Sequence, residues 1–331
     1  AQESLQQFGH SIECRVCAED PENNFFPSTG EILYWNEPQL KGLRYDSAVR
    51  TGSKIDVFYD SLIAKVIATG STRTEAISRM LNALNKMSVL GITTNKDFLK
   101  ELLQNRSFTD GSFDTKLIEK EYNGYKKDIN KQVLNDSAIA ALLFDWSSRS
   151  NRETFSHSLN GWRNIFYQPN RFVLGINDGK LTFEYTYRQN KRFDVLCEDT
   201  LYKVELIEVL ANTITCAINN HRKTFFIAMN KDEVFVQAIG EVTLRFKRVP
   251  RFTEPGSAGV KGGYTAPMPG EIVKVLVKPG EIVKSGKGLL VMSSMKMETT
   301  IEAHSDGEVE EVCVIEKAFV EADAVLLKMK S

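Results

Sequence analysis

Ala266-Pro-Met-Pro-Gly-Glu-Ile-Val-Lys-Val-Leu-Val277 reads in register with Ala303-His-Ser-Asp-Gly-Glu-Val-Glu-Glu-Val-Cys-Val314, without a gap and at an offset of 37 residues. The match runs on to the end of the chain. Val283 pairs with Val320, Leu289-Leu290 with Leu326-Leu327, and Met292 with Met329. Apolar residues recur at short, strand-like intervals in both copies. Two copies of one strand pattern predict a small sandwich with pseudo-two-fold symmetry, each half completing the core of the other. Gly270 pairs with Gly307, which predicts equivalent tight turns.

Between the halves lies Met292-Ser-Ser-Met-Lys-Met-Glu298. It falls where the first half hands over to the second, so it is expected to form a hairpin with Lys296 at its tip, away from the core. An exposed lysine on a rigid turn is a suitable amine for acylation. Met295 and Met297 are soft apolar side chains on an exposed turn, which calls for a reason. The bland alternative is an ordinary surface lysine in a two-sheet domain.

Working outward, Thr253-Glu-Pro-Gly-Ser-Ala-Gly-Val-Lys-Gly-Gly263 is rich in glycine and cannot build a core, so residues 253–263 are expected to be a flexible linker. It lacks the Gly-Lys-Ser/Thr ending and the strand-to-helix setting of a phosphate-binding loop. Upstream, residues 125–252 begin with a helix expected at 137–147, with Ile139, Leu142, Leu143 and Trp146 on one side. Short strands follow from 171 to 249, such as Leu181–Tyr187 and Thr224–Ala228, with turns at Asn177-Asp178-Gly179, Glu198-Asp199 and Asn219-Asn220. This spacing predicts an antiparallel barrel or sandwich, with the helix packed on or inside it. Residues 1–124 mix both element types. Ser11–Cys17 and Lys54–Tyr59 read as strands. Thr74–Lys86 reads as a helix, with Ala76, Ile77, Met80, Leu81 and Leu84 at helical spacing and a capping box of Thr72 and Glu75. Asp97–Gln104 reads as a second helix.

Composition narrows the function classes. The 331 residues suggest two or three domains, and the 42% apolar content is enough for packed cores. Lys and Arg number 42 against 43 Asp and Glu, so no global charge draws the chain to nucleic acid or to an anionic membrane. The longest apolar runs fall short of the roughly 20 residues a membrane span needs. The polar start, Ala1–Gln7, has no signal-peptide core. Five scattered cysteines argue for a reducing compartment. Cys14 and Cys17 resemble a zinc half-site, but without a second pair they read as part of an alternating strand, and no metal site is expected.

Ala266-Pro-Met268 followed by Met295-Lys296-Met297-Glu298 resembles the carrier domain of biotin-dependent carboxylases. That resemblance implies biotin on Lys296, with Met295 and Met297 forming the turn read by a biotin protein ligase. Lipoyl domains share the fold but place an acidic residue before the lysine. The first part carries a second resemblance, to the C-terminal region of biotin carboxylase. Its motifs are Gly9-His-Ser-Ile-Glu-Cys-Arg15, Ala18-Glu-Asp-Pro21, Phe26-Pro-Ser-Thr-Gly30, Arg44-Tyr-Asp-Ser47, Tyr59-Asp-Ser-Leu-Ile-Ala-Lys65 and Gly91-Ile-Thr-Thr-Asn95, in the family's order. By itself Arg44, just after Gly42 at a loop-to-strand junction, reads as a surface ion-pair residue. The resemblance implies instead that it faces the ureido oxygen of biotin. There a guanidinium, charged at any working pH, stabilises the negative oxygen that forms on deprotonation.

The fold class expected is therefore multi-domain α+β. It combines the C-terminal part of a biotin carboxylase domain (1–124), an antiparallel β-barrel around a helix (125–252) and a biotinyl/lipoyl-type flattened barrel (264–331). The layout resembles the alpha subunit of acyl-CoA carboxylases, and Gly161-Trp162-Arg163 resembles their hook segment. That implies docking of a carboxyltransferase beta subunit by the middle domain, contact with other alpha subunits, and no nucleic-acid or membrane partner. The substrate implied is 3-methylcrotonyl-CoA, with propionyl-, acetyl- and geranyl-CoA as alternatives. ATP, Mg²⁺ and bicarbonate belong to an ATP-grasp region that precedes these motifs in the family. Its motifs do not occur here, so the chain is expected to be a C-terminal fragment, inactive alone in biotin carboxylation. The compartment expected is the cytoplasm, or the mitochondrial matrix in a eukaryote. An eleven-residue linker spans about 18 Å when flexible and about 37–40 Å when extended, so more widely spaced sites require the whole carrier to move. A lipoyl-bearing dehydrogenase component and an unmodified binding module are the other function classes.

Overall fold

The alternation in His10–Cys17 forms a strand, with Ile12, Cys14 and Val16 turned into the core. It pairs antiparallel with Leu62–Gly70, which pairs on its other edge with Leu43–Ser47. Burial pushes the Cys14 thiol up to about 12, so this cysteine is a core residue. The helix Arg73–Lys86 covers one face of the sheet with Ala76, Ile77, Met80 and Leu84, while Leu81 is half-buried. Thr72 caps it, accepting from the Glu75 N–H at 3.2 Å. The Glu75 carboxylate accepts from the Ser71 N–H at 2.7 Å, one residue earlier than in a simple capping box. The second helix runs Lys96–Gln104. The computed structural model describes residues 4, 6, 8–149, 168–177, 179–249, 263–295, 297–322 and 324–330.

Lys54–Tyr59 departs from expectation. Only Lys54–Ile55 is a strand, because its partner Gly30–Glu31 offers two residues of ladder. The chain then turns, with the Asp60 carboxylate accepting from the Leu62 N–H at 3.0 Å. Val57 is buried, whereas Phe58 and Tyr59 stand in solvent.

Eight antiparallel strands close into a barrel: Asn170–Ile176, Gly179–Arg188, Arg192–Cys197, Thr200–Val209, Thr213–Ile218, His221–Met229, Glu233–Ala238 and Thr243–Arg248. Three of its hairpins have two-residue loops, since Ile176 pairs with Gly179, Cys197 with Thr200, and Ile218 with His221. Asn177, Glu198, Asn219 and Asn220 have positive φ, as the primed turns favoured by twisted hairpins require. The helix is longer than expected, Lys131–Ser148, because its polar first turns are helical too, and Asn130 caps it by accepting from the Gln132 N–H at 2.8 Å. Ser137 through Leu143 are buried on every side, and Ala138 through Leu143 share one core with inward residues of all eight strands. A helix buried all round belongs inside the barrel, which resolves the expectation of a helix on or inside the sheet. Trp146 stacks on Tyr187 at 5.3 Å and meets Phe193 edge-on at 5.0 Å.

The last part is two four-stranded sheets related by the repeat. Gly270–Val275 corresponds to Gly307–Val312, Ile282–Val283 to Phe319–Val320, and Gly288–Ser294 to Val325–Met329. Even the bulge recurs, between Ile272 and Lys274 in one copy and Val309 and Glu311 in the other. Leu289, Leu290, Leu326 and Leu327 fill the shared core. Gly270 and Gly307 begin strands instead of making the tight turns expected. Gly270 is glycine because a Cβ would stand 2.6 Å from the Ser293 carbonyl oxygen, a backbone atom, whereas at Gly307 the nearest atom is the flexible end of Met329 at 2.7 Å. The linker, apart from Gly263 at the start of the strand Gly263–Thr265, lies outside the described residues, as does Gly161-Trp162-Arg163.

Candidate functional site

The strands Gly288–Ser294 and Met297–Glu302 pair so that Ser294 faces Met297, leaving Met295 and Lys296 as the loop between them. Lys296 itself lies outside the described residues. Met295 has φ +46°, the left-handed conformation that a two-residue primed hairpin needs at its first loop position. The register expected for this hairpin is therefore present.

The exposure expected for Met295 is not. It is 5% exposed, although it sits at a hairpin tip. The first part of the chain meets the turn here: the Met295 N–H donates to the Val57 carbonyl at 3.0 Å. Beside this bond the rings of Phe58 and Phe319 lie 6.0 Å apart at 31°. Met297 is half-buried. The loop that seats the carrier turn is the stretch read from sequence as a strand, so sequence reasoning missed it. The available signal was Phe58-Tyr59, two aromatics beside the turn-forming Asp60.

Arg44 sits on the strand Leu43–Ser47, opposite Ile67. The junction before it is fixed by Gly42, whose φ is +79° and whose carbonyl accepts from the Thr69 N–H at 2.8 Å. The guanidinium is exposed and paired with Asp46 at 2.9 Å, two residues along on the same face. Val57 lies five residues before Leu62–Gly70, the strand that pairs with the Arg44 strand. The seat of the carrier turn and Arg44 thus belong to one sheet and its connecting loop. Among the described residues no group of three His, Cys, Asp or Glu could hold a metal ion, and no helix is long and apolar enough to cross a membrane.

Residues 13–120 match the family described as Biotin carboxylase C-terminal domain, and residues 264–329 match the family described as Biotin-requiring enzyme. The chain thus carries a match to the biotin carboxylase C-terminal domain and, after it, a match to a biotin-requiring domain. It is 31% identical, over 100% of its length and 48% of that protein, to "Methylcrotonoyl-CoA carboxylase subunit alpha, mitochondrial" of Rattus norvegicus. It is 30% identical to "Propionyl-CoA carboxylase alpha chain, mitochondrial" of Sus scrofa, over 92% of this chain and 44% of that protein. Among solved structures, a biotin carboxylase domain of a thermophilic 2-oxoglutarate carboxylase bound to bicarbonate aligns at 35% identity and a TM-score of 0.37, over 39% of this chain and 29% of that one. The chain spans about half the length of the curated relatives it matches. Arg44 falls within the first family match and Lys296 within the second.

Proposed function

We propose that this chain is the C-terminal part of the alpha subunit of a biotin-dependent acyl-CoA carboxylase, with biotin on Lys296. The observation that carries the proposal is a Met-Lys-Met hairpin at the hinge of a two-fold repeat, seated on the carboxylase C-terminal domain. A two-residue loop on a packed sandwich is a rigid mount for a long acyl-lysine arm, and the sequence around it suits biotin. Bound biotin supplies a ureido nitrogen that holds a carboxyl group between two sites.

The residues of this chain do the rest. Arg44 faces the ureido oxygen and stabilises its negative charge, held in orientation by Asp46. One such donor is worth about 3–4 kcal/mol, or about 10²–10³ in kcat. ATP, Mg²⁺ and bicarbonate are handled by the biotin carboxylase region of the complete subunit. The barrel docks a carboxyltransferase beta subunit, where an acyl-CoA is carboxylated. Of the possible acyl groups, 3-methylcrotonyl is our choice, supported by a relative that aligns over the full chain. Propionyl-CoA is the alternative, supported by near-equal identity. The names of these relatives place them in mitochondria, which favours the matrix if the source is eukaryotic.

The test is the intact mass of the chain after co-expression with a biotin protein ligase. A biotinyl adduct on Lys296, lost in Lys296→Arg, is expected. A lipoyl mass, or no adduct, overturns the proposal. In the complete subunit Arg44→Ala should lower kcat for biotin carboxylation by about 10²–10³ and leave biotinylation of Lys296 unchanged. Docking of the beta subunit is tested separately, by co-purification of the two chains.

A further inference from the structure

Acylation of Lys296 needs an enzyme to reach the turn. The amine attacks the acyl carbon of an activated biotin, a mixed anhydride with AMP that the ligase makes from biotin and ATP. A C–N amide bond forms, AMP leaves with the electron pair of the broken C–O bond, and the amine proton goes to solvent. Whatever performs this step must contact the residues on either side of the lysine.

On one side the contact is already taken. Met295 precedes Lys296, and its N–H is bonded to the Val57 carbonyl at 3.0 Å. Its side chain, at the tip of a hairpin, is 5% exposed. Phe58 and Phe319 flank the same contact with ring centroids 6.0 Å apart, and both keep an open face to solvent. Met297, on the other side of the lysine, is half-buried. The first domain and a modifying enzyme therefore compete for the Met295 edge of the turn.

We propose that seating of Met295 on Val57 withholds the turn from biotin protein ligase, so that biotin is attached from an undocked population of the carrier. The proposal rests on the reading of Lys296 as the biotinylated residue. Among the described residues the contact shows one backbone hydrogen bond and one pair of solvent-facing rings beside the buried Met295, a set that can release. Apparent reactivity scales with the competent fraction: a carrier docked for about nine-tenths of the time is modified about ten-fold more slowly. The device delays modification until the first domain gives up the turn, and it hides the Met295 thioether in the meantime.

The experiment uses the full chain, purified without biotin and given ligase, ATP and limiting biotin, with modification followed by intact mass. Phe58→Ala and the pair Phe58→Ala with Phe319→Ala should be biotinylated several-fold faster than the parent. Both positions are solvent-facing, so folding is preserved. Hydrogen exchange at the Met295 amide should accelerate in the same variants. In a Cys313→Ser background, Phe58→Cys with Phe319→Cys, joined by a cleavable cross-linker, should slow modification at least ten-fold, and cleavage should restore it. Equal or slower rates in the alanine variants, or no effect of the cross-link, overturn the gating. A parent and variants that all stay unmodified overturn the assignment of Lys296, and the gating with it.

Discussion

Against the barrel, the first domain lays Leu90 beside Ala228 and Phe235 in a small sealed core, with Tyr34 and Phe226 rings 5.7 Å apart at its edge. Against the last domain, the same domain extends a loop that, among the described residues, gives one backbone hydrogen bond and one exposed aromatic pair. The polar groups differ as much as the apolar ones. At the barrel junction the Asp97 carboxylate accepts from the Thr243 N–H at 2.9 Å and from Lys127 Nζ at 3.0 Å. Lys96 Nζ donates to the Met87 carbonyl at 3.2 Å, which also accepts from Gln237 Nε2 at 3.1 Å, and Lys100 Nζ donates to the Gly240 carbonyl at 2.9 Å. Lys96, Asp97 and Gln237 are all buried. The strand Glu233–Ala238 shows the result, with Val234 and Val236 facing the barrel interior while Phe235 and Gln237 are covered by the first domain. Buried charges with directed partners hold two bodies at one angle, whereas a single neutral bond at a hairpin tip lets a body leave. On the function proposed above, a carrier that must travel needs the second kind of contact, and a barrel that positions a partner needs the first.

The largest effect that separates the two contacts is expected from Asp97→Ala. It strands a buried ammonium at Lys96 and removes the acceptor of Lys127 and Thr243, a loss of about 3–5 kcal/mol by urea unfolding. A loss below about 1 kcal/mol would place this junction in the same class as the carrier contact. Next comes pH. Burial lowers the Lys96 pKa from 10.5 to about 8, against the opposing pull of Asp97. For Asp97 burial acts upward, but the Lys96 and Lys127 ammonium groups and the Thr243 N–H outweigh it and hold the carboxyl below its usual range. Between pH 8 and 10.5 the unfolded chain binds a proton at Lys96 that the folded chain does not, so the contribution of this group to stability rises with pH across that window. Lys100 is lowered by burial as well and adds in the same direction. The buried thiols, Cys14 among them, act in the opposite sense over the same range, so Lys96 is read as a difference: urea unfolding across the window should show the stability of the parent growing relative to Lys96→Met.

What was legible in the sequence followed from short-range rules. The repeat at an offset of 37 residues predicted the two-fold sandwich, because identical local patterns meet identical neighbours. Positive-φ residues such as Asn219 and Asn220 marked the barrel hairpins. The helix start at Lys131 was missed because Gln132, Asn135 and Asp136 are polar, and their helicity depends on the cap at Asn130 and on partners across the barrel, Tyr202 for Asn135 and Lys223 for Asp136. Gly270 and Gly307 were correctly paired, but Gly270 was wrongly explained, since the close approach of the Ser293 carbonyl leaves no mark in local sequence. The same limit hid the junctions. The strand Glu233–Ala238 alternates too little for one wet face, a sign of burial on both sides, yet nothing in it names Leu90 as the cover. Met295 was read as exposed because its neighbour is Val57, more than two hundred residues away.

The finest comparison sets two backbone amides side by side, each donated to the first domain across a boundary. Thr243 gives its N–H to Asp97, and Met295 gives its N–H to Val57. Native-state hydrogen exchange reads the opening free energy of each. Exchange at Thr243 should require the junction to come apart, at a free energy close to that of global unfolding. Exchange at Met295 should require only release of the turn, at a small fraction of it. Phe58→Ala sharpens the contrast. Its side chain is 73% exposed, so global stability should change by no more than about 0.5 kcal/mol. Exchange at Met295 should nonetheless accelerate, while Thr243 stays as it was. Acceleration at both amides together would mean that carrier and barrel open as one unit, and the division between a fixed and a releasable contact would be lost.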